Sequence, residues 1–151
     1  MNLEPTGDGG FKRKSGGGSM KYVYYVATFV FTAFYAHSVY GYATDPAFWA
    51  GEYQRVGFPT YLVGVMLVVK ALGVIAVWVR RPVWLAQLAY AGFFYHTLLA
   101  VMADVAIGSP IAILPAVLFV LVIASWATQN YARSPAAAYA PGANRMLGSQ
   151  V

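Results

Sequence analysis

The chain has 151 residues, of which 60% are hydrophobic and 10% charged. A soluble domain carries about 25% charged residues, so the composition excludes a soluble core and points to a membrane protein. Cysteine is absent, which excludes disulfides, thiolate metal sites and thiol redox chemistry. The net charge is +5, and its placement along the chain accounts for it without a nucleic-acid partner.

Residues 1–20 (MNLEPTGDGGFKRKSGGGSM) are rich in glycine and polar residues and read as a flexible basic tail. Four apolar spans follow, at 22–44, 60–79, 83–107 and 111–131. Each has the roughly 20–25 residues that a helix needs to cross a bilayer. The first is too long for a signal-peptide core, and no small-residue cleavage site follows it. The loop between the first two, 45–59, is aromatic (DPAFWAGEYQRVGFP) and suits a short amphipathic segment lying at the interface. Arg80-Arg81-Pro82 joins the second and third spans and Gly108-Ser109-Pro110 the third and fourth, so consecutive spans are antiparallel neighbours. Residues 132–151 form a second tail. The chain therefore reads as an all-α membrane domain over 21–131, an antiparallel four-helix bundle in contact with lipid and flanked by two tails.

The basic residues set the orientation. Lys12, Arg13, Lys14, Lys21, Arg80, Arg81, Arg133 and Arg145 all fall on one side of the spans, and Arg55 alone falls on the other with Asp45 and Glu52. The positive-inside rule puts both termini in the cytoplasm of a cell with the domain in its inner membrane. Most of the aromatic residues at span ends, among them Tyr22, Tyr24, Tyr25, Tyr40, Tyr42, Trp78 and Trp84, read as the interfacial belt.

Four ionisable side chains lie within the spans: His37, Lys70, His96 and Asp104. Lys70 stands at the centre of TYLVGVMLVVKALGVIAVWV, where a cation costs on the order of 2.5–3.5 kcal/mol on insertion scales and must face inward. His96 lies at a matching depth in the next span. Asp104 is about 12 Å further along that helix, which leaves a direct Lys70–Asp104 ion pair strained. Two readings of Lys70 stand side by side: it bonds hydroxyls or carbonyls and fixes packing, or it serves a quinone or a proton path. Ala89, Gly92, Ala100 and Ala103 share a helix face with His96, and Ala33 and Gly41 share one with His37. Such small residues admit a second helix or a flat ring, so His96 and His37 read either as packing residues or as ligands of haem or bacteriochlorophyll. A quinone ring has Tyr35, Tyr90 or Tyr95 as stacking candidates. No phosphate loop, zinc-binding His pair or hydrolytic triad is present, and no metal site is expected.

The order of several short motifs carries a resemblance. Gly57-Phe58-Pro59-x-Tyr61-Leu62, Lys70-Ala71-Leu72-Gly73-Val74-Ile75-Ala76, Ala89-Tyr90-Ala91-Gly92-Phe93-Phe94 and Gly108-x-Pro110 together resemble the DoxX-like family of four-span membrane proteins, over roughly residues 21–132. Two positions depart from the pattern: His96 stands where the family commonly has an acidic residue, and Ala103-Asp104 where it often has Ser-His. The acid and the histidine have changed places. The resemblance implies a membrane protein linked to quinone-dependent oxidoreductases or their complexes. The resulting expectation is an accessory subunit that packs with other membrane subunits, without independent catalysis. A quinone-interacting redox subunit and a pigment- or haem-binding subunit are the alternatives.

Overall fold

A computed structural model describes residues 3–5, 11–13 and 17–142. Lys14 and Arg145, part of the basic pattern, lie outside the described residues. The N-terminal segment contributes two three-residue strands, β1 (Leu3–Pro5) and β2 (Phe11–Arg13), paired antiparallel with Leu3 opposite Arg13. The rest of the described chain is built on five helices: α1 (Gly17–Thr44), α2 (Pro46–Arg55), α3 (Leu62–Val79), α4 (Val83–Ala106) and α5 (Ile113–Ala132).

Helices α3, α4 and α5 are each long and apolar enough to cross a membrane. The 28-residue α1 is the longest but does not reach that apolarity, because Tyr22, Tyr24, Tyr25, Tyr35, Tyr40 and Tyr42 share it with His37 and Ser38. Its threonines hide their polarity. The Thr28 and Thr32 hydroxyls each donate to the carbonyl four residues back, both at 2.6 Å, so neither is left unbonded in an apolar setting.

The connections follow from local chemistry. The Asp45 carboxylate caps α2 by accepting from the Phe48 amide at 3.0 Å, and Pro46 takes the first helical position. Gly57 ends the segment in the left-handed region (φ 83°), which lets the Phe58 amide reach back to the Tyr53 carbonyl at 2.8 Å. Helix α4 closes the same way at Gly108 (φ 65°), with the Ser109 amide bonded to the Asp104 carbonyl at 2.8 Å. At the end of α3 no glycine is available, and Arg80 itself takes the left-handed conformation (φ 54°).

Helix α1 packs on α3 and α5, α4 packs on the same two, and α2 lies against α1 and α3. Phe31 and Tyr35 from α1, Val77 from α3, Tyr90 and Phe93 from α4, and Leu118 and Val122 from α5 form one buried cluster. Phe93 is its hinge piece, with ring centroids 4.3 Å from Tyr35 and 5.5 Å from Phe31. Gly73 makes room for it: a Cβ there would sit 2.8 Å from Phe93 Cζ, so α3 and α4 approach only because that residue has no side chain. Gly92 has no such duty, since a Cβ there meets nothing within 4 Å. The outward faces carry Val65, Val68, Val69 and Leu72 on α3, Leu88 and Met102 on α4, and Val117 and Val120 on α5, all exposed. These faces meet the bilayer, where apolar exposure has no aqueous cost.

A second, polar layer ties the α3–α4 turn to the end of α5. Ser125 bonds Thr28 at 2.6 Å and Tyr90 at 2.8 Å. Gln87 donates to Gln129 at 2.9 Å and accepts from the Trp126 indole at 3.0 Å. Arg80, a loop cation by its sequence position, is 3% exposed and reaches the Gln129 carbonyl at 3.4 Å and Asn130 Oδ1 at 3.3 Å. Burial pushes its pKa down, and the neighbouring Tyr24 and Tyr90 partly oppose this. Its Nε is the one buried side-chain nitrogen or oxygen among the described residues with no hydrogen-bond partner.

Candidate functional site

Lys70 is 5% exposed and turns towards α1. Its ammonium donates to the Tyr42 hydroxyl at 2.8 Å and to Ser38 Oγ at 3.1 Å. The same nitrogen lies 4.2 Å from the centre of the Tyr42 ring and 5.7 Å from that of Tyr35. Tyr35, Ser38 and Tyr42 are spaced three and four residues apart, so they share one face of α1. Two hydroxyls and two ring faces hold the charge without any carboxylate.

That arrangement has a direction. An ammonium only donates, so the Tyr42 oxygen accepts from it. Tyr42 is 5% exposed, and the one remaining partner for its own hydrogen is the Tyr53 hydroxyl at 3.0 Å. Reversing that second bond would strand the Tyr42 hydrogen in a buried place at a cost of about 1–3 kcal/mol. The string therefore runs Lys70 to Tyr42 to Tyr53 and ends in a free Tyr53 O–H. Burial, and then the bond to Tyr42, push the Tyr53 pKa up, so this phenol keeps its proton and remains a donor.

A second string starts from Tyr35, which is 2% exposed. Its hydroxyl lies 2.9 Å from His96 Nδ1, with the two rings edge to face at 5.5 Å. His96 is the one hydrogen-bond acceptor within reach of the phenol hydrogen, so Nδ1 accepts and Nε2 carries the imidazole hydrogen. Nε2 itself has no protein partner among the described residues.

Both strings end at the wall of one cavity of about 290 Å³ between α2, α3 and α4. Tyr42, Tyr53, His96, Asp104 and the Glu52–Arg55 pair supply its polar groups, and Trp49, Phe58, Leu62, Met66 and Leu99 its apolar walls. Helix α2 forms the roof. Trp49 seats it by lying over Gly41, where a Cβ would be 2.8 Å from the indole nitrogen, and by packing its tilted ring on Tyr42 with centroids 4.9 Å apart. Ala100 and Ala103 also line the cavity. These two members of the small face around His96 thus make space for the cavity, while Gly92 stands open and exposed.

The four ionisable residues singled out by sequence are not all brought together. Lys70 and His96 belong to adjacent strings, each anchored on a tyrosine of α1 and not on the other. Asp104 lines the cavity and makes no ion pair with Lys70 or any other described residue. Glu52 and Arg55, from the roof, pair with each other at 2.8 Å. His37 is exposed, outside the cavity lining and without a hydrogen bond to the described residues. Among the described residues no group of three His, Asp or Glu could hold a metal ion.

Sequence reasoning missed Ser38, Tyr42 and Tyr53 as members of the site. Tyr42, expected in the interfacial belt, is inside. The signal was the spacing of Tyr35, Ser38 and Tyr42, which repeats on one helical face opposite Lys70.

The sequence profile of the DoxX-like family matches residues 26–125. No curated protein and no solved structure matches the chain. The match covers most of the chain, the site included, and the protein belongs to the DoxX-like family of membrane proteins.

Proposed function

We propose that this DoxX-like membrane protein holds a quinone-type headgroup in the cavity beneath α2, as a subunit of a larger membrane redox complex and without catalysis of its own. The observation that carries the reading is the convergence of two uncommitted donors, Tyr53 O–H and His96 Nε2–H, on a cavity whose walls are mostly apolar. A quinone is flat and apolar, and its polar atoms are carbonyl oxygens that only accept. The cavity volume, about 290 Å³, is at the small end for ligand sites and suits a single ring. A bound quinone would supply two-electron, two-proton chemistry. The side chains lining the cavity bind and orient but are not two-electron carriers, so the electrons would come from a neighbouring subunit. The broad apolar faces of the long helices leave surface for such neighbours as well as for lipid. Haem or bacteriochlorophyll at His96 or His37 has less support: the cavity is smaller than a macrocycle needs, and His37 has no cradle around it.

Binding of a short-tailed benzoquinone to the purified protein in nanodiscs tests the reading. Tyr53→Phe and His96→Leu should each weaken it about tenfold, because each removes one of the two hydrogen bonds donated to a quinone carbonyl. Equal affinity in wild type and both variants would remove the quinone from this cavity.

In the same reading the four long helices form an antiparallel bundle in the inner membrane, with α1 as the fourth span and both termini cytoplasmic. Lys21, Arg80, Arg81 and Arg133 flank one side and Asp45 and Glu52 the other. Reporter fusions at each end and within 45–59 test this. Cytoplasmic activity from the loop fusion, or external activity from either end, contradicts it.

A further inference from the structure

We infer that Asp104 makes the cavity selective for the reduced, hydroxyl-bearing form of its ring ligand, an inference that rests on the quinone reading above. Asp104 occupies the last turn of α4, the negative end of the helix dipole, where a cation is the favoured companion of a carboxylate. Arg55 lines the same cavity but is committed to Glu52 through Nη2 at 2.8 Å and Nε at 3.1 Å. The Asp104 carboxylate therefore lines the cavity with its acceptor capacity unused by any described residue.

The spacing along α4 supplies the second half of the argument. Asp104 follows His96 by eight residues, about 12 Å of helix. Side chains on one helix lean the same way, so the axial offset carries over to their tips, and the two residues, within a quarter-turn of each other, line the same cavity. A ring with oxygens in para positions, hydrogen-bonded at both ends by contacts of about 2.8 Å, spans roughly 11 Å. One ligand oxygen thus meets the His96 and Tyr53 donors while the other reaches Asp104. At the donor pole a carbonyl and a hydroxyl both accept. At the Asp104 pole they differ: a hydroxyl donates to the carboxylate, whereas a carbonyl sets one acceptor against another. Discrimination between the two redox forms resides in Asp104.

The test compares a short-tailed benzoquinone with its quinol under anaerobic conditions, by calorimetry on the full chain in nanodiscs with empty nanodiscs as the blank. Wild type should bind the quinol about tenfold tighter or more, the scale of a hydrogen bond to an ionised group. Asp104→Leu should bring the ratio close to one. Asp104→Asn, which keeps a neutral acceptor of the same shape, should retain part of it and guards against a leucine variant that fails to fold. Equal affinities in wild type, or a ratio unmoved by both substitutions, overturns the role of Asp104 and leaves the quinone reading standing. If wild type binds neither form, both fall.

Discussion

Lys70→Leu should leave the helices inserted and at least as stable, yet weaken quinone binding by about tenfold to a hundredfold. The two effects have opposite signs because they have different origins. Removing the cation relieves the roughly 2.5–3.5 kcal/mol that insertion scales assign to a charge at mid-span. It also removes the group that gives the string its direction. Without the ammonium, Tyr42 no longer has to accept from α3, and the Tyr53 hydroxyl is free to turn and donate to the Tyr42 oxygen 3.0 Å away. The donor is then consumed within the protein and lost to the cavity. The loss should therefore be at least that of Tyr53→Phe, and the pair should not add: Lys70→Leu combined with Tyr53→Phe should bind little worse than Lys70→Leu alone. Thermal unfolding in detergent and quinone affinity, measured on the same samples, separate the two effects. If Lys70→Leu binds as wild type does, the ammonium only fixes packing between α1 and α3.

Much of this architecture could be read from the chain, and what could not has physical causes. Apolar length marks α3, α4 and α5 because a bilayer imposes it, and Lys70 is visible because it violates that rule. Its partners were not visible. Depth matching paired Lys70 with His96 on the neighbouring span, but depth says nothing about the side of a helix. The structure sends both residues to α1, to Tyr42 and Ser38 in one case and to Tyr35 in the other. Tyrosine is ambiguous in a membrane, where the same amphipathic ring suits the interface and a buried hydrogen bond. Six tyrosines on α1 make composition alone uninformative, and only the spacing of Tyr35, Ser38 and Tyr42 tells the inward ones apart. Arg80 misled for another reason. A cation in a three-residue connection reads as solvated, and nothing local indicates that the left-handed turn (φ 54°) leaves it buried against α5. Its acceptors, the Gln129 carbonyl and Asn130, lie about fifty positions away in sequence.

The same distance in sequence makes Asn130 the other residue whose loss should be felt most. It is 3% exposed and saturates its side chain. The amide nitrogen shares its hydrogens among the carbonyls of Ala137 at 2.9 Å, Ala140 at 3.0 Å and Pro141 at 3.2 Å. Its oxygen accepts from the Ala137 amide at 2.8 Å and from Arg80 at 3.3 Å. This one side chain folds the start of the C-terminal segment back onto α5, where Ala137 is fully buried and Ala140 nearly so. Alanine and proline carry no polar side chains to replace those bonds. Asn130→Ala should therefore destabilise the protein by about 3 kcal/mol or more, since it strands several buried backbone groups and removes one of the few acceptors of Arg80. Proteolysis should then cut within 133–142 much faster than in wild type. Asn130→Asp divides the effect. It keeps an acceptor, now charged, for Arg80 and the Ala137 amide but loses the donors to three carbonyls, so the segment should loosen while the α3–α5 tie holds. Quinone affinity should stay at the wild-type value in both variants, because the cavity is built by α2, the Leu62–Met66 end of α3, the His96–Asp104 part of α4 and Tyr42 of α1, none of which contacts this clasp. Unchanged unfolding temperature and unchanged cleavage in Asn130→Ala would show that the segment is held by something other than this amide.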